Sequence, residues 1–100
     1  MSCPSGFAFP TRAVVDANRA ALLTFFRRLQ AAPVEGTLTS WYRDVARNAA
    51  CGGVPTSKHL RALAIDVVPA RMYALRAVVG FQQAGLRVLH EGDHLHVELP

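Results

Sequence analysis

The chain has 100 residues, of which 51% are hydrophobic and 18% are charged, and its net charge is +4. This composition is typical of one folded domain spanning residues 1–100 and excludes a disordered chain. The basic side chains are scattered rather than gathered into a tract with interleaved aromatic residues, so nucleic acid is not an expected partner. Attraction to another anionic polymer, such as cell wall, stays a possible role of the positive charge. No apolar run is long enough to span a membrane.

The first third of the chain predicts one long helix. Apolar residues recur every three or four positions from Val14 to Leu29, a spacing that indicates an amphipathic helix ending before Pro33. Thr11 or Asp16 is the expected residue at its N-terminal cap.

The middle of the chain predicts short elements joined by a glycine-rich loop. Residues 37–41 have the β-branched and aromatic content of a strand, and residues 44–50 are expected to form a short helix. Gly52 and Gly53 then open a loop, because glycine tolerates positive φ. Residues 63–68 follow as a buried strand.

The last third predicts a helix and a β-hairpin. The helix begins at Pro69, buries a stripe that includes Tyr73, and ends at Gly85, which is placed as a C-terminal cap. Residues 86–90 and 93–99 alternate as two strands joined by a turn that contains glycine. The elements together predict an α+β fold, with two main helices on one face of a small, mainly antiparallel sheet.

The cysteines and the N-terminus carry little functional information. Cys3 and Cys51 belong to no Cys-x-x-Cys pair, so they are not expected to bind metal, and whether they pair with each other is left open. The first ten residues contain two prolines and no apolar run, unlike a signal peptide. The chain is therefore expected to be cytoplasmic as synthesised.

Three residues have the chemistry of a zinc site on the second face of the sheet. His59, Asp66 and His96 supply two imidazoles and a carboxylate, and three protein ligands leave a coordination position for water or substrate. The separation of His59 and Asp66 fits a histidine on a loop and an aspartate on the following strand. Ala64 shares the face of Asp66, and its small side chain leaves room for an ion.

Asp93 is the expected general base. It lies three residues before His96, where a turn leading into a strand can aim both side chains at one point. Glu91 is the reserve candidate if Asp93 points away. His94 shares a strand face with His96, and three roles stay open for it: a fourth ligand, a contact to substrate or oxyanion, or a group that supports a ligand.

At these residues the chain resembles the zinc peptidases that cut peptidoglycan stem peptides. That group includes the zinc D-alanyl-D-alanine carboxypeptidases, VanX-type dipeptidases and phage L-alanyl-D-glutamate endolysins, with the hedgehog signalling domain as a relative. The resemblance spans residues 20–99. It is carried by a Ser-x-His-x(4)-Ala-x-Asp run at residues 57–66, an Asp-x-x-His run at residues 93–96, and an upstream block at residues 39–43, Asn48 and residues 52–57.

The resemblance assigns further roles and shows departures. The resemblance implies that Arg43 holds a substrate carboxylate or the developing oxyanion. Without the resemblance, a surface arginine is an equally good interpretation of this residue. Ser57 either contacts substrate or stabilises a turn. The family usually has glycine where this chain has Trp41 and Ala62, so Trp41 is expected to reshape the substrate groove. Many members have glutamate in place of Asp93, and aspartate there favours the endolysin branch.

The sequence thus predicts a monomeric peptidase with one Zn²⁺ per chain that hydrolyses a peptide bond in peptidoglycan stem peptides. Whether it is a D,D-carboxypeptidase or an L-Ala-D-Glu endopeptidase is left open. It would reach the wall after release from the cell or as part of a phage or exported protein. The alternatives are a non-catalytic zinc-containing module that recognises cell wall or protein, and a cytoplasmic dipeptidase.

Overall fold

The helical part begins with two helices where the sequence predicts one. In the computed structural model, which describes residues 7–32, 34–70 and 74–100, α1 spans Arg12–Ala17 and α2 spans Arg19–Ala31. Thr11 caps α1, as predicted, since its hydroxyl accepts a hydrogen bond from the backbone N–H of Val14 at 3.3 Å. The single-helix prediction is wrong because the Asn18 side chain donates to the Val14 carbonyl at 2.8 Å and competes with the backbone for it.

Some predictions fall on residues outside the described ranges. These are the possible disulfide of Cys3, the helix end at Pro33 and the burial of Tyr73.

Four strands form one antiparallel sheet in the order β1-β2-β4-β3. Their bounds are Gly36–Ser40 for β1, Ala64–Pro69 for β2, Arg87–Glu91 for β3 and His94–Glu98 for β4. Because β4 lies between β2 and β3, the C-terminal hairpin is joined directly to the strand that carries Asp66.

Three further helical elements connect the strands. The short helix α3 spans Val45–Ala50, a 3₁₀ helix spans Lys58–Arg61, and α4 spans Ala74–Gln83. Gly85 follows α4 with φ of 85°, the left-handed conformation expected of a glycine that ends a helix.

The sheet has one face buried under the helices and one that faces a cleft. Side chains alternate along each strand, so the two faces have different compositions. The buried face packs against α2 and α4, and the core it forms includes Phe25, Phe81, Ile65, Leu95 and Val97. The opposite face holds Asp66 and His96, so the α+β fold and the placement of the candidate site are as predicted. Among the described helices, none has the length and apolar character required to cross a membrane.

Candidate metal centre

The three predicted ligands meet on the cleft face of the sheet. Asp66 on β2 and His96 on β4 are direct cross-strand partners, and His59 reaches them from the 3₁₀ helix. Asp66 Oδ1 lies 3.1 Å from His59 Nε2 and 3.4 Å from His96 Nδ1. Each of the three residues is less than 10% exposed. The strand register and one turn of 3₁₀ helix therefore bring two nitrogens and one oxygen together, within 4.8 Å of one another.

The loop before the 3₁₀ helix is held in place by hydrogen bonds to its backbone. Asn48 donates from its side-chain amide to the Val54 carbonyl at 2.8 Å. Gly53 packs against the same side chain so closely that a Cβ there would overlap the Asn48 amide oxygen. The Ser57 hydroxyl accepts from the His59 N–H at 3.2 Å, which is the turn-stabilising role left open for it. These hydrogen bonds fix the position of the loop and therefore the position of His59 in the 3₁₀ helix that follows it.

The end of the 3₁₀ helix has a backbone conformation that suits glycine, although Ala62 occupies it. Ala62 adopts φ of 61°, a left-handed conformation that favours glycine, the residue usual at this position. Trp41 supports the turn, because its indole Nε1–H donates to the Ala62 carbonyl at 2.7 Å. The indole ring lies among Phe9 and Phe26 on the helical side of the sheet. The structure therefore does not bring the Trp41 side chain into the cleft, where it was expected to reshape the groove.

The donor set fits a metal ion because each imidazole has its other nitrogen committed. His59 Nδ1 contacts the Trp41 carbonyl at 2.5 Å, and a carbonyl can only accept, so Nδ1 carries the proton. His96 Nε2 lies 2.8 Å from a Glu98 carboxylate oxygen and donates to it in the same way. The neutral rings then present lone pairs on His59 Nε2 and His96 Nδ1 towards Asp66. Three converging acceptors suit a metal ion between them, and in its absence protons on the imidazoles can take its place. Outer partners of this kind are usual for metal-binding histidines.

Charge at the site is arranged around the Asp66 carboxylate. Burial disfavours its charged form, but hydrogen bonds with His59 and His96 and the nearby charge of Arg43 outweigh this and hold the pKa of Asp66 well below its usual range. Arg43 donates to Asp66 Oδ2 at 2.5 Å, and its Nε donates to the Ser40 hydroxyl at 3.2 Å. Arg43 thus holds the outer carboxylate oxygen and leaves Oδ1 facing the histidines.

The same contacts act in the opposite direction on His96. Burial alone would lower its pKa, but hydrogen bonds with Asp66 and Glu98 raise the pKa of His96 above the ordinary histidine value. In the absence of a metal ion, a proton on this ring can satisfy the neighbouring carboxylates. Glu98 had no role predicted from sequence, although its position two residues after His96 places it on the same strand face.

Asp93 lies at the edge of the site, in contact with His94. It belongs to the turn between β3 and β4, its side chain is 96% exposed, and it lies 2.8 Å from His94 Nδ1. That hydrogen bond from His94 lowers the pKa of Asp93, which makes the carboxylate a weaker base. Glu91, the reserve candidate, lies closer to the ligands, with Oε1 3.5 Å from His96 Nδ1.

His94 lies between the turn and the metal centre. Its Nδ1 faces Asp93, and its Nε2 lies 3.7 Å from Asp66 Oδ1. With Glu91 and Asp66 it forms a second set of potential ligand atoms that shares Asp66 with the first. The three roles predicted for His94 all require this proximity.

Two of the three ligands, His59 and His96, line a cleft of about 460 Å³. Arg43, Ser57, Glu91 and Glu98 also face it, whereas Asp93 and Trp41 are not among its lining residues. Its volume is in the range of about 300–1,000 Å³ that is usual for small-ligand sites. An open cleft above three protein ligands leaves room for water and substrate beside a bound ion.

A buried His/Asp/His donor set beneath an accessible cleft defines a candidate hydrolytic metal centre rather than a closed structural one. Comparison with known families agrees. The chain belongs to the Peptidase M15 family, whose model matches residues 6–98, and it is therefore a zinc-dependent metallopeptidase of that family. Neither a curated protein nor a solved structure was found to match the chain.

Proposed function

We propose that this metallopeptidase hydrolyses a peptide bond in peptidoglycan stem peptides and binds one zinc ion per chain. The observation that carries the proposal is the convergence of His59 Nε2, Asp66 Oδ1 and His96 Nδ1 beside a cleft of about 460 Å³. Family membership supports the peptide substrate, and the resemblance of residues 57–66 and 93–96 to cell-wall peptidases supports the stem peptide. The enzyme would act on the wall after release or as part of a phage or exported protein.

His59, Asp66 and His96 would hold the zinc ion. Zinc in such a site supplies a Lewis acid that activates water and polarises a carbonyl group. The surrounding residues orient the ligand atoms. The Trp41 carbonyl and Glu98 accept hydrogen bonds from the protonated nitrogens of the two rings, and Arg43 donates to Asp66. Little reorganisation is then needed when the ion binds.

Glu91 is the better placed carboxylate for proton transfer. It faces the cleft and lies beside a ligand, whereas the Asp93 carboxylate is turned to solvent. A base must lie within reach of the water whose proton it takes, directly or through one further water. Glu91 accepts that proton and returns it to the leaving amine. Asp93 orients His94 through their hydrogen bond, and His94 Nε2 remains directed at the centre.

The matched substitutions Glu91→Gln and Asp93→Asn separate these roles, because each removes one carboxylate charge with little change in size. With zinc bound in both, we expect Glu91→Gln to lower kcat by roughly 100-fold or more, the usual contribution of a general base. Asp93→Asn should lower kcat less, since it only loosens His94. Steady-state kinetics on a stem peptide gives the comparison. A larger loss for Asp93→Asn would restore Asp93 as the base.

The proposed function is tested by the release of new amino groups from purified peptidoglycan by the zinc-loaded protein, before and after chelation. We expect release that chelation abolishes and added zinc restores. Zinc binding without release from any wall type or stem peptide would contradict the peptidase proposal and favour the recognition module. Identification of the new N-termini distinguishes an L-Ala-D-Glu endopeptidase from a D,D-carboxypeptidase.

A further inference from the structure

The cleft contains two cations that the metal centre does not use. Its other charged groups are committed: Arg43 to Asp66, Glu98 to His96, and Glu91 beside His96. Lys58 and Arg87 also line the cleft, and within residues 7–32, 34–70 and 74–100 neither forms an ion pair.

The two cations lie on different walls. Lys58 opens the 3₁₀ helix, directly before the ligand His59, and is half-buried. Arg87 lies on β3 directly opposite Glu98, with which it forms no ion pair, and two residues before Leu89, whose cross-strand partner is His96. Two residues along a strand span roughly 7 Å. One cation therefore adjoins a ligand, and the other is displaced along the sheet by about the length of a dipeptide unit.

We propose that Lys58 and Arg87 bind carboxylates of the substrate, so that the cleft selects a peptide with free carboxylates near the scissile bond over its amidated form. This inference rests on the proposed function. A half-buried ammonium group without a counter-charge has lost part of its hydration, and a substrate carboxylate would compensate. The guanidinium of Arg87 matches a carboxylate with two parallel N–H donors. Stem peptides carry such groups on D-glutamate and at their C-terminus.

The test uses the zinc-loaded protein and two probes: a stem pentapeptide that ends in D-Ala-D-Ala and has free carboxylates, and the same peptide with its D-glutamate α-carboxylate and C-terminus amidated. The variants are Lys58→Gln and Arg87→Gln. The matched control is Arg61→Gln, which removes an exposed charge from the same 3₁₀ helix outside the cleft lining. KM from kinetics and Kd from calorimetry are measured for each probe, together with zinc content.

We expect the wild-type protein to bind the free peptide at least tenfold more tightly than the amidated one. Each cleft variant should raise KM and Kd for the free peptide by about tenfold, the effect of losing one charge-assisted contact, and leave those for the amidated peptide and the zinc content unchanged. Arg61→Gln should match the wild-type protein. Equal affinity of the wild-type protein for both probes, or an equal loss for both in the variants, would overturn the inference.

Failure of the proposed function gives a different result. If the wild-type protein hydrolyses neither peptide, the peptidase proposal fails, and calorimetry on that same protein still decides whether the cleft prefers free carboxylates. If it hydrolyses both equally well and the cleft variants behave like the wild-type protein, the proposed function holds and the carboxylate inference fails.

Discussion

The metal centre is assembled by hydrogen bonds that leave one atom of each ligand free. The Trp41 carbonyl takes the proton of His59 Nδ1, Glu98 takes that of His96 Nε2, and Arg43 occupies the outer oxygen of Asp66. Two of these partners, Arg43 and Glu98, are side chains and can be substituted while all three ligands are retained. The role of an outer partner can therefore be measured separately from that of the ligand it supports.

Glu98→Gln tests that role. The substitution keeps the size of the side chain but replaces a carboxylate acceptor with a neutral amide, which weakens the hold on His96 and makes Nδ1 a poorer donor to a cation. We expect zinc affinity to fall by about tenfold, measured by competition with a chromophoric chelator. Glu35→Gln, which removes an exposed carboxylate just before β1, is the control. Unchanged affinity in Glu98→Gln would show that the contact does not support the metal centre.

At the scale of elements, the site depends on how the 3₁₀ helix is fixed between α3 and β2. The Arg43 N–H donates to the His59 carbonyl at 3.1 Å, and the Trp41 indole donates to the Ala62 carbonyl at 2.7 Å. The 3₁₀ helix is only one turn long, so such contacts from outside must hold it, since short helices have little stability of their own.

Trp41→Phe separates support of the turn from contact with substrate. Phenylalanine retains an aromatic ring but has no N–H, so the buried Ala62 carbonyl loses its side-chain donor. We expect the free energy of unfolding to fall by about 1–3 kcal/mol in chemical denaturation, with KM unchanged in the folded protein. A raised KM with unchanged stability would instead place Trp41 in the substrate groove, as the sequence suggested.

At the scale of the whole molecule, the pH dependence of stability should differ between the metal-free and zinc-bound forms. In the metal-free protein, the contribution of Asp66 is complete above its unfolded pKa of 3.8 and is lost as the pH falls towards its lowered folded pKa. The contribution of His96 is complete below its unfolded pKa of 6.5 and is lost as the pH rises through its raised folded pKa. Both contributions are therefore complete between pH 3.8 and 6.5.

Thermal unfolding of the metal-free protein between pH 6 and pH 9 measures the alkaline part of this profile. We expect the midpoint to fall as the pH rises, and the fall to be smaller in His96→Ala. Saturating zinc should reverse the slope, because the metal replaces a proton that becomes easier to remove at higher pH. A metal-free midpoint that rises with pH over this range would contradict the charge state inferred for His96.

Much of this architecture could be predicted from the sequence because it depends on periodicity and ligand chemistry. Strand alternation placed Asp66 and His96 on one face, and the spacing to His59 required a loop. The break at Asn18 could not be predicted, because it depends on whether one side chain bonds the backbone locally. The exposure of Asp93 also depends on a detail that the sequence pattern does not give, namely that the residue lies in the two-residue turn between β3 and β4.

The most direct test of the metal centre is the zinc content of the purified protein and of its His59→Ala and His96→Ala variants, by elemental analysis after dialysis against trace zinc. The structure predicts about one zinc ion per chain in the wild-type protein and a large loss in both variants, with circular dichroism confirming that they remain folded. Absence of bound zinc in the wild-type protein, or full retention in folded variants, would contradict the assignment of His59, Asp66 and His96 as ligands.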